Sequence, residues 1–197
     1  MDLKHTIRSL VVGVPHIFFG GEPSERAGTE RLAAVRLGAR DKQPILLESL
    51  AFADGGRIPI QYTADRGGFA PPLQWSEVPL GTRALVLFAE DPDAPTPRPF
   101  VHWLAVLPPE ARSMGVYLGE DGESITKGLT SLRSTHWVGC APPKGDSAHH
   151  YHFQLFALDR ALRVGAHPGR SALLRQMEGH VIGFGELVGT YERPRSH

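Results

Sequence analysis

Residues 89–106 read AEDPDAPTPRPFVHWLAV, and the reading of this stretch decides the fold. Four prolines, Asp91, Asp93 and His102 break into what are otherwise two oily runs, 84–89 and 100–107. Proline cannot continue a strand interior, and an aspartate beside proline favours a turn. The apolar flanks read as buried strands. The connection therefore carries polar groups at the mouth of a core. Asp91 and Asp93 end the first strand, and period-two alternation puts His102 of the second on the face of Phe100 and Leu104.

Some forty residues on, HHYHFQLFALD (149–159) is a strand by composition. Alternation separates His149, Tyr151, Phe153, Leu155 and Ala157 from His150, His152, Gln154, Phe156 and Leu158. It follows a tight APPKG turn. If these strands are neighbours, His102, His149, Tyr151 and one or both of Asp91 and Asp93 converge at one rim. Each imidazole could donate from one nitrogen while a carboxylate fixes its tautomer, and the phenol adds a donor. Such a set receives a small anion. The same residues would also serve acid–base chemistry on a carbonyl or lactone, with His102, His149, Asp91 and Tyr151 as the catalytic groups. His102, His149 and Asp91 further make a two-histidine, one-carboxylate metal set, and the HHYH tract reads as outward-facing. Cys140 paired with His149 is a weak nucleophile candidate.

The rest of the chain is read around this rim. Residues 1–42 differ in character from the remainder of the chain: GEPSERAGTERLAAVRLGARDK is charged and alanine-rich. A short surface helix using Leu32, Val35 and Ala39 competes there with disorder. The domain proper occupies 43–197, starting with LLESLAF (46–52) and a turn at Asp54-Gly55-Gly56. Residues 58–62 read as a short strand, and the following Gly/Pro-rich segment as a loop packing Phe69, Leu73 and Trp75. The long stretch between 107 and 148 shows little periodicity, which marks functional or mobile loops. Residues 171–179 form the best helix, with Leu173, Leu174 and Met177 on one face and Gly179 at its stop. Residues 186–193 close the chain as a strand. The class is mainly β.

Bulk composition narrows the function classes. With 197 residues the chain is long enough for one domain with a substantial core. Twenty-one basic and 21 acidic residues balance, so no global field attracts nucleic acid or an anionic membrane. One cysteine allows no internal disulfide. No run reaches the roughly 18–20 apolar residues of a membrane span. The oily patch near the start is split by Pro15 and His16 and lacks a convincing cleavage site, so a cytoplasmic location is expected.

DPDAP (91–95) followed by His102-Trp103, and GCAPPKGDSAHHY (139–151), resemble the two signature regions of the phosphatidylethanolamine-binding protein family. The segments before the first signature and from 179 to 193 are similar to its bacterial, Raf-kinase-inhibitor-like branch. The resemblance covers roughly residues 46–193. It implies a large antiparallel sheet, a smaller sheet packed on it, a few peripheral helices, and a metal-free, cofactor-free pocket for phosphate-like groups, phospholipid head groups among them. The matching ligand-binding positions are Asp91, Asp93, His102, His149 and Tyr151. Pro95, Trp103, Trp137, Gly139, Pro142 and Pro143 match the pocket framework.

The sequence also departs from that pattern. His150 stands where the family carries Arg, removing a permanent charge and five donors. Alternation puts it on the opposite strand face from His149, which makes it a drifted residue rather than a ligand contact. Trp137, Cys140, Gly68 and Ala70 replace other usual types, and TSLRSTHW (130–137) is rewritten beside the pocket, so a shifted ligand preference is expected. The leading expectation is a binding module for a small phosphorylated or carboxylate ligand, with affinity declining as pH rises through about 6–7. The competing expectations are the acid–base enzyme and a kinase or protease regulator. The branch includes homodimers, so a homodimer is allowed, while no nucleic-acid partner and no membrane insertion are expected.

Overall fold

A computed structural model describes residues 26–115 and 125–195. Most of the 1–42 extension, its oily patch included, and part of the 107–148 stretch lie outside the described residues.

The described residues form two sheets. The larger runs in the order β1 (Gln43–Pro44), β9 (Val181–Tyr191), β8 (His149–Leu158), β4 (Ala84–Asp91), β5 (Phe100–Leu107) and β7 (Thr126–Lys127). Its pairs are antiparallel except the short β1, which runs parallel to β9 at one edge. The smaller sheet is β2 (Leu47–Glu48), β3 (Leu73–Trp75) and β6 (Ser113–Met114). The mainly β expectation is met.

Both faces of the central strands are covered, which explains why β4 and β5 read as continuous apolar runs rather than strict alternation. On one face Leu85, Leu87, Ala89, Trp103, Phe153 and Leu155 pack against Leu73, Trp75 and Met114 of the small sheet. On the other, Val86, Phe88, Leu104 and Phe156 pack against Ala33 and Ala34 of α1 (Ala33–Arg36) and Leu173, Leu174 and Met177 of α2 (Arg170–Met177). Each such large aliphatic side chain contributes about 1.5–3 kcal/mol by leaving water. Gly179, with φ of 77°, follows α2, a backbone shape suited to glycine.

Helix α1 is a single turn whose N-cap residue, Leu32, has no side-chain acceptor. The sheet supplies what the cap lacks. Ala33 N–H donates to Glu90 Oε2 and Ala34 N–H to Gln154 Oε1, both at 2.8 Å. Gln154 Nε2 also donates to Glu90 Oε2, and Arg170 reaches from α2 to Glu90 Oε1 and to the Arg31 carbonyl. Because the backbone must approach this closely, alanines face the sheet. The expected helical face is corrected accordingly: Leu32 and Ala39 are buried, but Val35 is 40% exposed.

Three further expectations are corrected. Residues 58–62 are not a strand: Ile60–Tyr62 is one 3-10 turn behind Pro59, whose φ is −60° and which has no N–H to join a ladder. Arg57 alone bridges to Thr190. Leu73 and Trp75 are buried in β3 rather than in a loop, while Phe69, thrown outward by Gly67 and Gly68 at positive φ, is 53% exposed. The last strand begins at Val181, earlier than its glycines suggested. A Cβ at Gly185 would stand 2.5 Å from the Ile45 carbonyl, so the bare backbone is what admits the β1 segment. No helix among the described residues is long and apolar enough to cross a membrane.

Candidate functional site

The opening stretch folds as two strands joined by the proline loop, with one irregularity. Asp91 pairs with Phe100 and Glu90 with Val101, but Ala89 pairs with Trp103. His102 is therefore the extra residue of a β-bulge, a device that re-aims a side chain. His102 and Trp103 consequently serve the same side of the sheet. The His102 ring stands 5.0 Å from that of Tyr151 and 5.7 Å from that of Trp137, and Trp103 meets Trp137 at 5.9 Å. Leu104 packs on the opposite face. The expectation that His102 shares a face with Leu104 is thus wrong, and the bulge is the reason. Phe100 does lie beside it, at 4.7 Å.

Asp91 is the hub. Its Oδ1 accepts the amides of Asp93 and Ala94 at 2.8 and 3.0 Å, which folds the DPDAP turn. Its Oδ2 accepts Nδ1–H of His149 at 2.8 Å and lies 3.9 Å from Nε2 of His102. His102 donates from Nδ1 to the Val138 carbonyl at 2.6 Å. Asp91, His102, His149 and Tyr151 are all buried. Two buried polar atoms in this group, His149 Nε2 and Tyr151 Oη, make no hydrogen bond among the described residues. Asp146 Oδ2 stands 3.5 Å from His149 Nε2, within ion-pair reach but not aligned as a hydrogen bond.

The two imidazoles are driven apart electrically. Burial lowers the pKa of His102, and Asp91 and the Val138 carbonyl offset this only in part. Burial also works against a charged His149, but the hydrogen bond and charge of Asp91, followed by Asp146 and Asp93, outweigh it and raise the pKa. Burial, with Cys140 and Asp91 nearby, pushes the Tyr151 phenol well above its ordinary value, so it remains a donor. The result is one readily charged imidazole, one neutral imidazole and one neutral phenol around a single carboxylate.

Asp93 is not brought into this group. Its Oδ2 accepts both the amide and Nδ1–H of His150, at 2.9 and 2.8 Å, on the exposed opposite face of β8. Burial opposes ionisation of Asp93, but the His150 bonds hold its pKa below the usual value. The HHYH tract is not outward-facing as a whole: His149, Tyr151 and His152 are buried and His150 alone is exposed. Among the framework positions, Trp137 stacks on Phe153 and donates Nε1–H to the Tyr62 carbonyl at 3.0 Å. A Cβ on Gly139 would meet the Ala64 amide at 2.5 Å. Pro142 is buried, Pro95 half-buried and Pro143 exposed. Burial, with Asp91 adding to it, pushes the Cys140 thiol well above its ordinary value, which makes it a poor nucleophile. Among the described residues no three His, Cys, Asp or Glu side chains are grouped to hold a metal ion.

Sequence reasoning missed Asp146 and Arg26, which donates from Nη2 to Asp146 Oδ2 at 2.9 Å. An acid three residues before His149, behind a glycine turn, was the available signal for the first. Nothing local signals the second, 120 residues away.

Comparison with known proteins agrees with this architecture. The family described as phosphatidylethanolamine-binding protein matches residues 48–192. The UPF0098 protein of Pyrococcus horikoshii is 34% identical over 189 residues, covering 93% of this chain and 95% of that one. The UPF0098 protein of Chlamydia pneumoniae is 36% identical over 152 residues, covering 75% of this chain and 98% of that one. Among solved structures, a phosphatidylethanolamine-binding protein homologue from Chlamydia trachomatis superposes with a TM-score of 0.69 at 32% identity, covering 77% of this chain and 99% of that one. YbcL of E. coli, described as a new member of the mammalian family, gives 0.69 at 26% identity over 75% and 98% of the two chains.

Proposed function

The chain belongs to the phosphatidylethanolamine-binding protein family, and on that premise we propose that the Asp91–His149 rim binds a small oxyanion, a phosphate ester or a carboxylate. One observation carries the reading: two buried donors, Nε2 of His149 and Oη of Tyr151, make no hydrogen bond among the described residues. A buried polar group left unpaired costs about 1–3 kcal/mol, so a guest that accepts from both recovers it. Imidazolium makes charge-assisted bonds roughly twice as strong as neutral ones, and His149 is the imidazole whose charged form Asp91 favours. His102, held neutral and anchored on Val138, shapes the wall and leaves Nε2 toward the carboxylate. Prolines of the two loops border the pocket without offering N–H groups that would compete for the guest.

The test is calorimetric titration with phenyl phosphate. Wild-type protein binds, His149→Ala and Tyr151→Phe bind at least tenfold more weakly, and all three still melt cooperatively. Undiminished binding by His149→Ala would sink the reading. Because His149 carries a raised pKa, affinity persists above the ordinary histidine range and declines as pH rises through that raised value.

The Asp91–His149 pair also favours a second reading. A carboxylate on Nδ1 with Nε2 unpartnered is the arrangement of a general acid, which becomes a base once it has given up its Nε2 proton. Turnover of a carbonyl or lactone metabolite that vanishes in both His102→Ala and His149→Ala would establish it. The binding reading keeps the chain in the cytoplasm and allows a homodimer; fractionation and light scattering test these.

A further inference from the structure

The charged nitrogen of the rim is already shadowed by an acid of the same chain. Asp146 Oδ2 lies 3.5 Å from His149 Nε2. That is where an oxyanion guest must place an oxygen. The aspartate makes no hydrogen bond to His149 there. Its hydrogen bond is to Arg26, whose Nη2 donates to the same Oδ2 at 2.9 Å. Arg26 leads a segment fastened along the proline loop: Gly28 N–H donates to the Pro92 carbonyl at 3.3 Å, and Arg31 Nη1 to the Pro97 carbonyl at 2.6 Å. On the other side, Gly145 N–H donates to the Arg193 carbonyl and Asp146 N–H to the Pro143 carbonyl, so the backbone of this loop is tied and only the Asp146 side chain can turn away.

We propose that Asp146 is an internal competitor for the oxyanion position of His149, held in place by Arg26 and displaced when a guest enters. The proposal rests on the oxyanion reading of the rim. Its physical basis is that two anions cannot share one imidazolium at such a distance without mutual repulsion. Arg26 and Asp146 are 45% and 31% exposed, so solvent screens their pair and holds the competitor only weakly. A guest that also engages Tyr151 outcompetes it. A guest offering one weak acceptor does not. Asp146 thus sets a threshold that a guest clears by engaging both donors, and couples the segment that carries Arg26 to occupancy of the pocket.

The decisive experiment is calorimetric titration of phenyl phosphate and, separately, benzoate into full-length wild type, Asp146→Asn, Arg26→Gln and the double variant, with His149→Ala as the anchor. Asp146→Asn binds phenyl phosphate about fivefold to tenfold more tightly, the size expected for removing a like charge at this separation in a partly solvated site. It gains no more for benzoate, whose single charge Asp146 repels less than that of a dianion. Arg26→Gln binds about twofold to threefold more tightly, since Asp146 swings away, and the double variant is no tighter than Asp146→Asn alone. Arg26 as a plain attractor of anions has the opposite sign: its loss would weaken binding and overturn the proposal. So would unchanged or weaker affinity in Asp146→Asn while His149→Ala abolishes binding, an outcome that leaves the oxyanion reading standing. If neither wild type nor Asp146→Asn binds either probe, the oxyanion reading itself falls.

Discussion

Nδ1 of His149 lies 2.8 Å from Oδ2 of Asp91, and that contact decides which of the two pocket histidines carries charge. His102 approaches the same oxygen only to 3.9 Å and from its other nitrogen. Asp91 favours the charged form of the nearer ring, while in His102 burial, which the more distant carboxylate offsets only in part, disfavours it. Asp91→Asn removes the charge but keeps the turn-forming acceptor. His149 then titrates at lower pH than in wild type, and the His102 pKa falls further below its ordinary value. Two-dimensional NMR of the imidazole nitrogens reads both. An unmoved His149 titration would show that Asp91 is not its counter-charge.

The same shifts set a pH dependence of stability. The folded pKa of His149 exceeds its unfolded value, so its contribution is fully present below about pH 6.5, the ordinary histidine value, and is lost as pH rises through the raised pKa. The lowered pKa of His102 has the opposite sense. Protonating that buried ring disfavours the fold, so its effect appears as pH falls below the ordinary value. Denaturation in urea across pH 5 to 8 should show the difference between wild type and His149→Gln shrinking on the alkaline side. A difference constant with pH would contradict the assignment.

Glu90 anchors the opposite face of the sheet. It is fully buried and takes hydrogen bonds from Ala33, Gln154 and Arg170, capping a helix that cannot cap itself. Removing one member of such a buried pair typically costs about 3–5 kcal/mol, because the partner charge is left uncompensated. Glu90→Ala should therefore lower the melting temperature markedly and loosen α1, read by faster amide exchange at Ala33 and Ala34. Retained protection at both amides would refute the capping role.

How far the sequence spoke depended on whether the signal was local. The oily runs flanking the proline loop gave β4 and β5 because burial on both faces leaves a plain apolar string. Leu173, Leu174 and Met177 gave α2 by their spacing. The pairing of His149 with Asp91 could be inferred only through the family resemblance, since 58 residues separate them. What could not be read was the bulge. Alternation is a rule for regular ladders, and one unpaired residue reverses every face beyond it, so Leu104 was assigned to the wrong side. Glu90 drew no reading of its own, because a buried carboxylate has no sequence mark apart from its partners. Arg26 and Asp146 meet through the docking of a segment whose charge and alanine content looked merely solvent-facing.

The bulge itself can be tested by removing it. His102 has no partner across the strand: Val101 faces Glu90 and Trp103 faces Ala89. Deleting residue 102 therefore joins two residues whose partners are already consecutive, and the β4–β5 ladder becomes continuous. The sheet loses the bond from Val138 N–H to the His102 carbonyl and the side-chain bond to the Val138 carbonyl. At about 0.5–1.5 kcal/mol each, these losses are partly offset by the regular pairing gained. The deletion variant should melt cooperatively near the His102→Ala variant, with the same strand content by circular dichroism. Phenyl phosphate binding should be weaker in the deletion than in His102→Ala, because the substitution keeps the kink in β5 that lets the wall of the pocket reach Tyr151 and the deletion flattens it. A deletion variant that fails to fold would mean the irregularity is required by the sheet, rather than placed there for the site.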